Sequence, residues 1–139
     1  MTGAQEWEAK QDIAEVLLRY ATGIDQRDWE LFETCFTGNC HCDYGDVGVW
    51  ERVEAITAFM VDAHAGVGHT LHRITNIAIN VDDEVAATAR CYVDAVIMAR
   101  DGGSGVNAMG YYDDELVHTP VGWRIARRRY TMVHVGAVG

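Results

Sequence analysis

The chain has 139 residues, 49% of them apolar and 23% charged, which suits one domain built on a single buried core. Its formal net charge of −10 argues against nucleic acid and against anionic membranes, because both need clustered Lys and Arg, and the only basic run is Arg127-Arg128-Arg129. A neutral or hydrophobic small molecule is the expected partner.

Residues 1–12 are polar, with no apolar signal-peptide region, and no stretch approaches the length of a membrane span. Cys35, Cys40, Cys42 and Cys91 are therefore expected as reduced thiols, and a cytoplasmic location as the default.

The first element is a helix from about Glu6 to Gly23, on which Ile13, Val16, Leu17, Tyr20 and Ile24 form one apolar stripe. Tyr20 points inward on that stripe, and a buried hydroxyl needs a partner. Gly23 is placed to end the helix, leaving Asp25 in the turn after it. Asp28 fits the N-cap of a short helix, Trp29 to Cys35, with Glu30 in its first turn. Capping accounts for Asp28, whereas nothing local accounts for Asp25. Residues 39–44 and 47–51 carry a hairpin pattern around Gly45, and a third helix spans about Val53 to Ala63 with Ile56, Phe59 and Met60 on one face.

From His69 the apolar period becomes two, predicting strands over 70–81, 85–99, 106–118 and 122–134. Short turns between them predict an antiparallel meander, and helices followed by strands predict the α+β class, a single domain over 1–139. In the third of those turns Thr119-Pro120 interrupts the pattern, and in the second Gly102-Gly103-Ser104-Gly105 reads as a hairpin loop. That glycine run lacks a phosphate-binding lysine and opens no helix.

Metal binding finds little support. Cys40-His41-Cys42 alternates as a strand does, sending His41 to the opposite face, and His69 with His72 is insufficient alone. No cysteine has the setting of a nucleophile. Acid–base chemistry remains. His72 opens a strand and shares a face with Ile74, Asn76 and Ala78 if alternation is regular. An imidazole is the natural base at neutral pH when a carboxylate fixes its tautomer, and Asp25 is the candidate carboxylate. Tyr20 could then donate to a substrate oxygen and Arg128 stabilise developing charge. Spacing alone also allows a structural His72 and an Arg128 paired with a surface acid. Tyr44, Trp50, Met60, Met109 and Tyr111 are candidate pocket-lining residues that core packing explains equally well.

The runs Ile13-Ala14-Glu15-Val16-Leu17-Leu18-Arg19-Tyr20, Ile24-Asp25-Gln26-Arg27-Asp28-Trp29 and Cys35-Phe36-Thr37 occur in that order. Thr70-Leu71-His72-Arg73-Ile74-Thr75-Asn76 and Gly122-Trp123-Arg124-Ile125-Ala126-Arg127-Arg128 follow. With these pieces the chain resembles the SnoaL-like branch of the nuclear-transport-factor-2-like superfamily over nearly its full length. The resemblance implies a cone-shaped α+β barrel, with three helices packed on a strongly curved, mixed but mainly antiparallel sheet that encloses a pocket. Relatives include scytalone dehydratase, bile-acid dehydratase, a hexachlorocyclohexane dehydrochlorinase, polyketide cyclases and steroid isomerases. Several use an Asp–His pair as base, at positions matching Asp25 and His72, with a first-helix tyrosine or lysine at Tyr20 and an arginine at Arg128.

The implied activity is a cofactor-independent, metal-free lyase of the dehydratase type, or a closely related isomerase. Its substrate would be a hydrophobic cyclic molecule such as a steroid, terpenoid or polyketide. The alternative is a non-catalytic binding or assembly module, since fold does not fix function. A homo-oligomer, dimer or trimer, is expected if Ala87, Ala89, Cys91, Val93, Ala95 and Ile97 lie on the face away from the pocket. Trp123 and Ile125 share the parity of Arg127 and Arg129, so the face of Arg128 is left open by the pattern.

Overall fold

A computed structural model describes all residues, 1–139. Helix α1 (Gly3–Asp25) starts at a capping box in which the Gln5 backbone N–H donates to Thr2 Oγ1 and the Thr2 N–H to Gln5 Oε1. Its buried stripe includes Ile13, Val16, Leu17, Tyr20 and Ile24. Each large apolar side chain buried in this way stabilises the fold by roughly 1.5–3 kcal/mol. The helix continues through Gly23 to Asp25, two residues beyond the expected stop. Gly23 serves packing instead: a Cβ there would stand 2.9 Å from the backbone nitrogen of Phe32 in α2 (Trp29–Glu33). Asp28 caps α2, accepting from the Leu31 N–H at 3.0 Å.

Strands β1 (Phe36–Asp43) and β2 (Val49–Trp50) form the predicted hairpin, and α3 (Val53–Ala65) follows. Then come β3 (Thr70–Val81), β4 (Ala86–Met98), β5 (Gly105–Thr119) and β6 (Gly122–Val138) as a continuous antiparallel meander. Strand β1 lies parallel to β6, which makes the sheet mixed, in the order β2-β1-β6-β5-β4-β3. The three helices pack on this six-stranded curled sheet, which is not closed into a barrel.

Two bulges decide which side chains face the core. On β3, Asn76 adopts φ +49° and the register against β4 slips between Thr75 and Ala78. His72 and Ile74 therefore share the inner face as expected, but beyond the bulge Ile77, Ile79 and Val81 pack on the core and Ala78 turns outward with Arg90. On β6 the register slips beside Ala126, so that Leu116 pairs with Ile125 but Glu115 with Arg127. Trp123, Ile125 and Arg128 are consequently all buried, while Arg127 and Arg129 face solvent.

The inner face of β4 is the run Ala87, Ala89, Cys91, Val93, Ala95 and Ile97, which packs on the core. This is the pocket side, so the run is not available as an oligomer surface. The outer face carries ion pairs instead. Arg90 meets Asp113 with two bonds of 2.7 and 2.9 Å, Arg127 approaches Glu115 to 3.4 Å, and Arg129 approaches Asp43 to 3.6 Å. All four cysteines are buried and unpaired, and burial pushes the Cys35 and Cys91 thiols up to about 11. No helix is long and apolar enough to cross a membrane.

Candidate active site

Asp25 closes α1 and His72 is the third residue of β3, so the site forms where the first helix ends against the start of the meander. His72 Nδ1 donates to Asp25 Oδ1 at 2.7 Å, and the His72 backbone N–H donates to Asp25 Oδ2 at 2.8 Å. The Thr70 hydroxyl adds a third bond, to Oδ1, at 2.9 Å. Burial alone would raise the Asp25 carboxyl, but the bonds from the His72 ring and backbone, the His72 charge and Thr70 together hold it below its ordinary value. An ionised carboxylate only accepts, so Nδ1 carries the ring proton and the lone pair of a neutral His72 lies on Nε2.

His72 is one wall of a cavity of about 250 Å³ between α1, α3 and the inner face of the sheet. Thirteen of its fifteen lining residues are apolar or aromatic, and the other two are His72 and His64. A larger groove, about 690 Å³, crosses the outer face, and the paired arginines and carboxylates described above supply six of its fourteen lining residues. The dyad adjoins the smaller, apolar cavity, through His72.

His64 escaped the sequence reading, although it lies four residues after Met60 on the inward face of α3 and the helical period places it there. Its Nδ1 must donate to the Met60 carbonyl, 2.7 Å away, and burial pushes its pKa down. The His64 ring stands 6.3 Å from that of His72.

Tyr20 lines the cavity with Tyr44, Tyr112 and Tyr130. Its hydroxyl is 2.7 Å from that of Tyr44 and accepts a longer contact, 3.5 Å, from that of Tyr112. Burial pushes all three phenols well above their ordinary values, so they stay protonated. Three hydroxyl protons serve two contacts, which leaves one donor, on Tyr20 or Tyr44, for a guest.

Arg128 is not exposed to the cavity. Its guanidinium lies 3.8 Å from the Tyr112 ring centroid and 4.3 Å from that of Tyr20, and it forks onto Asp114 through two 2.8 Å bonds. Both side chains of this pair have 0% exposure. Burial disfavours charge on each, pushing the Asp114 carboxyl up, yet Asp114 holds the guanidinium protonated and raises its pKa further. Nη1 of Arg128 is left without a partner. Arg128 therefore reaches the cavity only through the tyrosine rings it supports, and its partner is a buried acid that the sequence reading passed over.

Among the other expected lining residues, Tyr44 and Met60 face the cavity. Trp50 packs tilted against Phe59, with ring centroids 4.5 Å apart. Met109 is partly exposed and Tyr111 carries Arg90 over its outward ring at 4.3 Å, because alternation along β5 sends Ala108, Tyr112 and Asp114 inward in their place. On β1, Cys40 and Cys42 are buried while His41 turns out to Glu51, 3.3 Å away.

A model of the SnoaL-like domain matches residues 5–129. An uncharacterized protein of Mycobacterium tuberculosis is 27% identical over 129 residues, 92% of this chain and 88% of its own length. Among solved structures, a candidate scytalone dehydratase from Novosphingobium aromaticivorans superposes with a TM-score of 0.90 at 18% identity, covering 97% of this chain and 91% of that one. A hexachlorocyclohexane dehydrochlorinase from Novosphingobium barchaimii gives a TM-score of 0.88 at 11% identity, covering 99% and 94%. At these identities the structural likeness establishes the cone-type fold.

Proposed function

Because the chain belongs to the SnoaL-like domain family, we propose that it is a cofactor-independent lyase of the dehydratase type, acting on a hydrophobic cyclic small molecule. The observation that carries this reading is the 2.7 Å His72–Asp25 bond at the wall of an apolar cavity. His72 Nε2 would take a carbon-bound proton next to an electron-withdrawing carbonyl, with Asp25 stabilising the imidazolium. The electrons of the C–H bond form the new double bond. The departing hydroxyl leaves as water once protonated, either by the imidazolium or by the free phenolic proton of the Tyr20–Tyr44 pair, in which case the imidazolium proton returns to the phenolate. The same phenols can steady a carbonyl oxygen as charge develops on it, in surroundings where low polarity strengthens the contact. Isomerisation would use the same base and return the proton elsewhere.

Apart from the two imidazoles, the cavity wall offers no ionisable group other than phenols, which favours an uncharged guest. At about 250 Å³ it lies below the usual range for ligand pockets, roughly 300–1,000 Å³, which favours a compact ring system or one that protrudes from the mouth. Four free thiols fit a reducing, cytoplasmic setting. A homo-oligomer also belongs to this reading, supported by exposed apolar side chains such as Leu71, Tyr92 and Val133 on the sheet, and light scattering of the purified protein tests it.

The activity is tested by following enone absorbance when the protein meets a panel of cyclic β-hydroxy ketones. Turnover by the native chain that disappears in His72→Ala, with ligand binding retained, supports the lyase. Binding without turnover across the panel would leave a ligand-holding module in its place.

A further inference from the structure

Arg27 follows α1 with φ +56°, a left-handed conformation that a long side chain seldom adopts without compensation. The compensation lies in its guanidinium, which donates to the Ile24 carbonyl at 2.9 Å, the Gly68 carbonyl at 2.7 Å and Thr70 Oγ1 at 2.8 Å. These bonds tie the end of α1 to the lead-in of β3, the two segments that supply Asp25 and His72. Arg27 makes no salt bridge, and Thr70 Oγ1 is the one side-chain acceptor among its three partners.

The direction of that chain follows from the inventory of donors. A guanidinium can only donate, so Thr70 Oγ1 accepts from Arg27. Thr70, 3% exposed, then has one proton to place, and Asp25 Oδ1 lies 2.9 Å away. Donation runs from Arg27 to Thr70 to Asp25, and from His72 to Asp25 on the other side. With three bonds converging on it, the carboxylate cannot rotate away from the imidazole, and Nδ1 rather than Nε2 is the nitrogen it engages.

We infer that Arg27 and Thr70 are positioning residues of the dyad: a cation relayed through one buried hydroxyl fixes the orientation and the ionised form of Asp25. This deepens the acid–base reading of the site and rests on it. The ionisable groups around Asp25 are His72 on β3, His64 on α3 and Arg27 in the turn, and Arg27 also opposes charge on His64. Neither positioning residue lines the cavity.

Carbon-13 titration of the Asp25 carboxyl in the full chain tests this without any substrate, alongside thermal melts that report the fold. Thr70→Val keeps the shape and removes the hydroxyl; it should move the Asp25 midpoint up by roughly one pH unit. Thr70→Ser should restore it. Arg27→Gln should give a smaller rise in the same direction, and Arg27→Lys a partial return. Folded Thr70→Val and Arg27→Gln proteins whose Asp25 midpoints match the native chain would overturn the inference. If Thr70→Val does not fold, an unmoved midpoint in folded Arg27→Gln overturns it alone. Because no turnover is read, failure of the lyase reading and failure of the relay are told apart.

Discussion

Two acid–base pairs stand on the inner side of this sheet, and only one of them adjoins a cavity. Asp114 and Arg128 lie wholly inside the protein, joined by two 2.8 Å bonds and covered by the rings of Tyr20 and Tyr112. Asp25 and His72 keep 18% and 10% of their side-chain surface, and the imidazole adjoins an apolar cavity. The first pair has a charge that cannot leave and no route to a guest. The second has a proton acceptor whose opposite nitrogen is anchored. Burial and hydrogen bonding are common to both pairs, and what separates them is access for a ligand.

The comparison predicts opposite consequences for the two pairs. His72→Ala should lower turnover about 10²–10⁴-fold while leaving the unfolding midpoint within a few degrees, read from kinetics and thermal melts on one preparation. Asp114→Ala should do the reverse at the level of the fold, costing about 3–5 kcal/mol in urea titration by leaving Arg128 buried without its counter-ion. An Asp114→Leu, Arg128→Met double variant should recover most of that loss, since a well-packed apolar pair avoids the desolvation of both charges. If the double variant is no more stable than Asp114→Ala, the pair does more than fill the core.

Asp25→Asn should have a smaller effect on stability, about 1–3 kcal/mol near neutral pH, because bonds to a charged acceptor are weakened rather than a cavity opened. Its pH dependence carries the sign. The folded-state carboxyl is held below its unfolded value, so its contribution is complete above the unfolded pKa, about 3.9, and fades as pH falls through the folded one. The stability gap between native chain and variant should therefore narrow below about pH 4. Least affected should be the outer face, where a double-mutant cycle on Arg127 and Glu115 should give a coupling below about 1 kcal/mol.

Much of this arrangement was readable from residue order. The helical stripe placed Tyr20 inward, the capping role of Asp28 singled out Asp25, and the onset of period two put His72 on a strand beside the core. The mixed sheet came from the family resemblance, since parallel pairing of β1 with β6 leaves no local pattern. Two bulges decide what strict alternation left open or misplaced. A bulge shifts every later side chain to the other face; the slip beside Ala126 has no residue signal, and Asn76, of a type that tolerates the left-handed region, hints at its bulge only weakly. Arg128 consequently joins Trp123 and Ile125 in the interior, and Ala78 leaves it. Asp114 was hidden differently. It sits in the run Asp113-Asp114-Glu115 and looks like surface charge until alternation from Tyr112 is followed through it.

The central claim is that Asp25 engages Nδ1 of His72 and leaves Nε2 as the base facing the cavity. Nitrogen-15 spectra of the histidine side chains in the resting protein test it most directly. At a pH where His72 is neutral, the account predicts a protonated Nδ1 and an unprotonated Nε2 that responds when a hydroxylated cyclic probe is added. A proton resident on Nε2, with Nδ1 bare, would contradict it.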